Sequence, residues 1–187
     1  MKTMTIPFVD LGAQYQSFKS EILDAFDRIS SSGHYVFGPE VTKFEKSFAA
    51  YCGSSYSAGL GNGSDALYLA MKALDIGVGD EVITAPNSFI ASAWTIANTG
   101  AKVRFADAGW DMNIDPAKIE AAITSKTKAI MPVHLTGKIA DMDAILEIAQ
   151  KHNLFIIEDA AQAVGATQNG KRAGSFGDAA GFSLHPL

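Results

Sequence analysis

The sequence predicts an α/β domain built on a mostly parallel sheet flanked by helices. Short apolar or β-branched segments alternate with helical ones after Gly53, and the stretch Phe155-Ile156-Ile157-Glu158-Asp159 reads as a buried strand ending in two acids. Repeated strand–helix units favour parallel pairing, and right-handed crossovers place the helices on the sheet faces.

Two helices come before the first expected strand. Phe18, Ile22, Phe26 and Ile29 recur at helical spacing within residues 14–29, with polar positions between them that suit solvent. Gly38-Pro39 breaks the chain, and Val41, Phe44, Phe48 and Tyr51 mark a second helix ended by Gly53. Strands are expected near Tyr56–Leu60, Glu81–Ala85, Lys102–Ala106, Lys128–His134 and Leu154–Glu158. Helices are expected near Ser64–Leu74, Ser88–Asn98, Pro116–Ile123 and Met142–His152. Gly181-Phe182-Ser183-Leu184 reads as a further strand feeding a loop, with no helix to close it. Residues 1–187 are therefore expected to be N-terminal helices plus most of a larger domain.

Of the 187 residues, 48% are hydrophobic and 19% charged, enough for one domain with a real core. A net charge of -5 offers no basic field for a nucleic-acid backbone. The lone cysteine, Cys52, and the lack of a signal-like N-terminus point to the cytoplasm. No apolar run approaches the roughly 20 residues that span a bilayer, so no membrane partner is expected.

Ligands of open parallel sheets sit beyond the carboxyl ends of the strands, so the loops there carry the candidate chemistry. Gly61-Asn62-Gly63-Ser64-Asp65-Ala66-Leu67 is a glycine-rich turn opening a helix. Its N–H groups suit a phosphate, with Ser64 as an extra donor, and equally suit a tight turn with a serine cap. Phe89, in Ala85-Pro86-Asn87-Ser88-Phe89, offers an aromatic face for a planar ligand or a plug for the core. Alternation sends Glu158 and Asp159 to opposite sides of their strand. A carboxylate there is costly unless it meets a cation such as a pyridinium nitrogen, or serves as a helix cap. Ser183 suits a phosphate, and His185 a base, a sugar contact or a plain loop position. His134 is placed near the site by topology without an assigned role. No metal site is expected, because His34, His134, His152, His185 and Cys52 lie far apart in sequence.

Taken in order, these segments resemble the DegT-type nucleotide-sugar aminotransferases, a branch of the pyridoxal-phosphate (PLP) enzymes with the aspartate aminotransferase fold, type I. The resemblance runs from Ile6-Pro7-Phe8-Val9-Asp10-Leu11 through Gly38-Pro39-Glu40-Val41, Gly61 to Leu67, Gly79-Asp80-Glu81-Val82-Ile83 and Pro86-Asn87-Ser88-Phe89. It continues through Pro132-Val133-His134-Leu135, Glu158-Asp159-Ala160-Ala161-Gln162-Ala163 and Ser175-Phe176-Gly177-Asp178.

The resemblance implies that Gly63, Ser64 and Ser183 bind the cofactor phosphate and that Phe89 stacks on the pyridine ring. It also implies that Asp159 pairs with the ring nitrogen and Gln162 lies at the ring hydroxyl side. The Schiff-base lysine is expected five positions after Ser183, at position 188, one beyond the last residue of the chain, with the small C-terminal domain also absent. The implied reaction moves an amino group from glutamate to a nucleotide-linked keto-sugar in a cytoplasmic homodimer with shared active sites. A deoxysugar dehydratase with histidine in the lysine slot, or a non-catalytic PLP- or sugar-binding regulator, are the alternatives. Thr136 departs from the tyrosine that many relatives carry in its loop.

Overall fold

The sheet carries the molecule's order. A computed structural model describes residues 7–186. Its five-stranded sheet runs β2 (Lys102–Phe105), β1 (Glu81–Thr84), β3 (Thr127–Met131), β4 (Phe155–Asp159) and β7 (Ala179–Gly181). Every neighbouring pair is parallel.

The central strands β1, β3 and β4 are largely buried because helices cover both faces, whereas the edge strand β2, Lys102-Val103-Arg104-Phe105, stays partly exposed. Val82, Ala129, Met131 and Ile157 pack on one side with Leu67 and Met71 of α3 (Gly63–Ala73) and Ile96 of α4 (Ile90–Asn98). Ile83, Ile130 and Ile156 pack on the other side with Ile119 of α5 (Pro116–Ala122) and with Met142 and Ile145 of α6 (Met142–His152). Consecutive strand residues thus feed opposite cores, as strand geometry requires. Each fully buried isoleucine is worth about 1.5–3 kcal/mol relative to exposure.

Before the sheet lie α1 (Leu11–Ser32) and α2 (Pro39–Cys52). Asp10 caps α1 by accepting the Ala13 N–H, and Gly33 ends it at φ 70°. These two residues explain why α1 outruns the expected 14–29. Its apolar positions Phe18, Ile22 and Phe26 are exposed, and none of its residues is buried. Gly53 ends α2 at φ 79°, as expected.

Three expectations need correction. No strand forms at Tyr56–Leu60: the Ser57 hydroxyl donates to the Glu45 carbonyl and the Gly59 N–H to the Glu45 carboxylate, so this segment bonds to α2 and not to a ladder. The strand expected at Lys128–His134 stops at Met131, because Pro132 has no N–H to donate; Val133 retains only an isolated bridge to Asp159. The last strand covers Ala179–Gly181 and not Gly181–Leu184, because β4 ends where Asp159 pairs with Gly181 and nothing remains for later residues to pair with. Ile6, Leu187 and position 188 lie outside the described residues.

The sequence reading passed over one hairpin, β5 (Thr167–Gln168) and β6 (Lys171–Arg172). Its two-residue turn, Asn169-Gly170, has φ of 51° and 79°, a type I′ geometry that this dipeptide favours.

Candidate active site

Helix α3 starts where the last strand leaves the sheet. Asn62 caps it by accepting the Asp65 N–H at 2.9 Å, so Ser64 is not the cap. The N–H groups of Gly63 and Ser64 belong to the first turn and have no acceptor within the helix. A Cβ on Gly63 would stand 3.1 Å from the Cβ of Ser183 and 3.2 Å from the Phe182 carbonyl oxygen. Any side chain at Gly63 would push the helix end and Ser183 apart by a few tenths of an ångström. Gly181 plays the same part deeper in, where a Cβ would meet Leu67 at 2.7 Å. Gly63, Ser64 and Ser183 therefore form one cradle with a helix N-terminus behind it, an arrangement suited to a phosphate.

The two acids of β4 part as alternation requires. Glu158 is fully buried and accepts four hydrogen bonds: from His134 Nε2 at 3.0 Å and from the N–H groups of Gly174 (2.7 Å), Phe176 (2.8 Å) and Gly177 (2.9 Å). Burial opposes its charge, but the His134 donor and these backbone N–H groups outweigh burial and hold the carboxyl below its ordinary value. The Ala140 N–H points at His134 Nδ1, which leaves Nε2 as the nitrogen carrying the proton. His134 therefore faces inward and braces Glu158, and Glu158 anchors the loop that leads into β7.

Asp159, 5% exposed, has a different environment. The Ser92 hydroxyl donates to its Oδ2 at 2.6 Å and the Ala161 N–H to Oδ1 at 3.3 Å. Desolvation dominates and raises its pKa, against the smaller lowering effects of Ser92, Ala161 and His134. Among the described residues no lysine or arginine pairs with it. Its backbone is fixed on both sides: Asp159 N–H donates to the Pro132 carbonyl, His134 N–H to the Asp159 carbonyl, and Gly181 pairs opposite.

Phe89 is 73% exposed at the start of α4, which rules out a core role and leaves its ring face free. Three residues on, Ser92 ties that helix to Asp159. The Thr136 N–H donates to the exposed Gln162 side-chain oxygen at 2.8 Å, joining the loop after β3 to the one after β4. His185 is exposed, and its backbone N–H reaches Ser183 Oγ at 3.2 Å; its ring is not tied to Asp159.

A shallow pocket of about 280 Å³, lined by Ser64, Asp65, Tyr68, Trp94 and Asn98, opens beside the cradle. A larger concavity of about 620 Å³ lies elsewhere, between the end of α2 and the hairpin, and none of the site residues lines it. Size alone does not locate this chemistry.

The family model of the DegT/DnrJ/EryC1/StrS aminotransferase family matches residues 16–187. The chain belongs to this family. It is 52% identical over 180 residues to a dTDP-3-amino-3,6-dideoxy-alpha-D-galactopyranose transaminase of Aneurinibacillus thermoaerophilus, covering 96% of this chain and 50% of that protein. It is 49% identical over 184 residues to a protein of Geobacillus stearothermophilus named "Pleiotropic regulatory protein", covering 98% and 50%. The crystal structure of S. venezuelae DesV in complex with a ketimine intermediate superposes with a TM-score of 0.90 at 46% identity, covering 92% of this chain and 47% of that one. The chain spans about half the length of the curated relatives it matches.

In this DegT-family chain the sequence reading missed Ser92 and the role of Glu158. A signal for Ser92 was present: Ser92 and Thr95 are polar residues on the buried side of an otherwise apolar helix, at 2% and 0% exposure. Polar groups in such positions need internal partners, and one of these partners is Asp159.

Proposed function

We propose that the protein containing this chain is a PLP-dependent aminotransferase that moves an amino group from glutamate to a nucleotide-linked keto-sugar. The observation that carries this is Asp159, a buried carboxylate with no cationic partner among the described residues, on the same sheet edge as a phosphate-shaped cradle. Family aminotransferases are PLP-dependent. The residues present fit that cofactor: a cationic ring nitrogen supplies the charge Asp159 lacks, and a phosphate supplies the acceptor that the first turn of α3 lacks.

In this assignment the N–H groups of Gly63 and Ser64 and the Ser183 hydroxyl hold the phosphate. Phe89 covers the ring, Gln162 meets its hydroxyl side, and Asp159 keeps the ring nitrogen protonated. When bound, PLP supplies an electron sink for breaking and making bonds at the transferred nitrogen's carbon. The chain's own work is to bind, orient and hold that one proton. The amine that carries the cofactor and moves the substrate proton belongs to the lysine expected at position 188. His185, on the exposed side of Ser183, is assigned to the sugar or to base duty.

The whole protein is read as N-terminal helices, this large domain and a small domain beyond it. Two copies are proposed to share their active sites, supported by the exposed apolar positions Phe18, Ile22 and Phe26 of α1. Among the described residues no helix is long and apolar enough to cross a membrane. A cytoplasmic location is read from the lone Cys52, and the net charge of -5 argues against a nucleic-acid partner.

The test is borohydride reduction of the full-length protein with PLP, followed by intact mass and peptide mapping. A cofactor adduct on the residue after Leu187, and conversion of the cofactor to its amine form by glutamate, are expected. Histidine at that position would favour the dehydratase. Because a close relative bears the name of a regulator, a second reading is a PLP- or sugar-binding regulator, and cofactor binding without any reaction with glutamate would favour it.

A further inference from the structure

We infer that Ser88 and Ser92 form a hydroxyl chain with two settings, which lets Asp159 change charge without moving, and that Ser92 is thereby a positioning residue for the group Asp159 holds. The inference rests on the proposed pairing of Asp159 with a protonated ring nitrogen.

Three contacts build the chain. Ser92 Oγ lies 2.6 Å from Asp159 Oδ2, Ser88 Oγ lies 2.6 Å from Ser92 Oγ, and Ser88 Oγ lies 2.9 Å from the Phe89 carbonyl oxygen. Each hydroxyl has one hydrogen to give and lone pairs to accept. An ionised carboxylate only accepts, so the hydrogens then run from Ser88 to Ser92 to Asp159. The Phe89 carbonyl keeps the Ser92 N–H at 3.2 Å. When Asp159 carries a proton on Oδ2, the direction reverses: Asp159 donates to Ser92, Ser92 to Ser88, and Ser88 to Phe89. Every hydroxyl hydrogen has an acceptor in both settings, and the reversal needs only rotation of O–H bonds. The Ala161 N–H serves Oδ1 in either one.

The surroundings make both settings relevant. Helix α4 brings no ionisable side chain to Asp159, and neither does β7. From the end of β3 comes His134, whose ring is committed to Glu158; Glu158 itself is turned to the opposite face, where Gly174, Phe176 and Gly177 hold it. Asp178 is bonded to the Ile156 N–H. Among the described residues no lysine or arginine pairs with Asp159, so a cationic ligand would be its direct charge partner. Burial raises the Asp159 pKa and so favours the neutral setting, whereas a cationic ligand favours the ionised one, in which the chain supplies a charge-assisted donor.

The experiment uses the full-length protein, PLP as the probe, and the variants Ser92→Ala, Ser92→Thr and Ser88→Ala. The PLP dissociation constant is read by fluorescence, and the apoprotein's thermal midpoint is followed against pH. Ser92→Ala is expected to weaken PLP binding about tenfold, with Ser92→Thr restoring it. Wild-type affinity in Ser92→Ala, or no rescue by threonine, would overturn the inference. Ser88→Ala removes the acceptor that only the neutral setting needs. It should move the pH-dependent loss of apoprotein stability to lower pH, a shift that disappears when Asp159→Asn is added. If Ser92→Ala does not fold, an unchanged Ser88→Ala profile decides against the chain. Failure of the wild type to bind PLP defeats the cofactor proposal instead, and the Ser88→Ala profile still tests the chain.

Discussion

His134 Nε2 and Glu158 Oε2 meet at 3.0 Å with both side chains sealed from water. The pair joins the end of β3 to the loop before β7, so it holds two walls of the site without facing it. Glu158→Gln replaces one acceptor oxygen with a donor, opposite either backbone N–H groups or the histidine. A loss of about 3 kcal/mol is expected at neutral pH, measured by urea unfolding.

That loss has a definite pH dependence. The folded pKa of Glu158 is lowered, so its contribution is present above the unfolded value of about 4.3 and is lost as pH falls through the folded value. The stability gap between wild type and Glu158→Gln should narrow on acidification below that unfolded value. A gap that stays constant down to strong acid would contradict the assignment.

Gly63→Ala tests the cradle. The added methyl, 3.1 Å from Ser183 Cβ, forces the helix end and Ser183 apart by a few tenths of an ångström. A stability cost of about 1 kcal/mol is expected, since the segment beyond β7 can yield. Cofactor binding should suffer more, by about tenfold, because phosphate hydrogen bonds depend steeply on geometry. Equal affinity for PLP in the full-length variant would separate the phosphate site from this junction.

The fold was legible where each element follows a local rule. Helix α6 falls at Met142–His152 as expected, between an Asp141 cap and Asn153 at φ 53°. The central strands were legible because burial on both faces favours apolar residues such as Val82-Ile83, Ala129-Ile130-Met131 and Ile156-Ile157, and edge strand β2 was legible from the β-branched and aromatic residues Val103 and Phe105. Tyr56–Leu60 misled because its β-like pattern says nothing about whether a neighbour exists to pair with. In the site, Asp159 was readable as an acid at a strand end, and Ser92 as a polar residue in an apolar helix, but their pairing was not: they lie 67 positions apart, and only the packing of α4 on the sheet brings them together. Glu158 was seen as an acid but not as a loop anchor, because its partners are backbone N–H groups, which no side-chain motif records.

The hairpin turn gives a test independent of the site. Gly170 sits at φ 79° with open space around the position a Cβ would take, so Gly170→Ala meets backbone strain without a clash. A cost of roughly 1–2 kcal/mol is expected from the left-handed backbone. In a domain of this size each kcal/mol lowers Tm by about 2–4 °C. A Tm within error of wild type would mean that the hairpin opens without unfolding the sheet.

Asp159→Asn separates stability from chemistry. Burial raises the folded pKa of Asp159, so in the apoprotein its contribution is full below the unfolded value of about 3.9 and is lost as pH rises through the folded value. Asparagine cannot ionise, so the variant apoprotein should be at least as stable as wild type at neutral and alkaline pH, with the advantage vanishing in acid. The same change removes the charge proposed to face the ring nitrogen. Turnover by the full-length enzyme should fall on the order of 10²–10³-fold, and PLP affinity should fall with it. A variant that is both less stable than wild type at alkaline pH and near-normal in turnover would reverse both roles: Asp159 would then be a structural acid, and the cation it awaits would have to be sought within the protein.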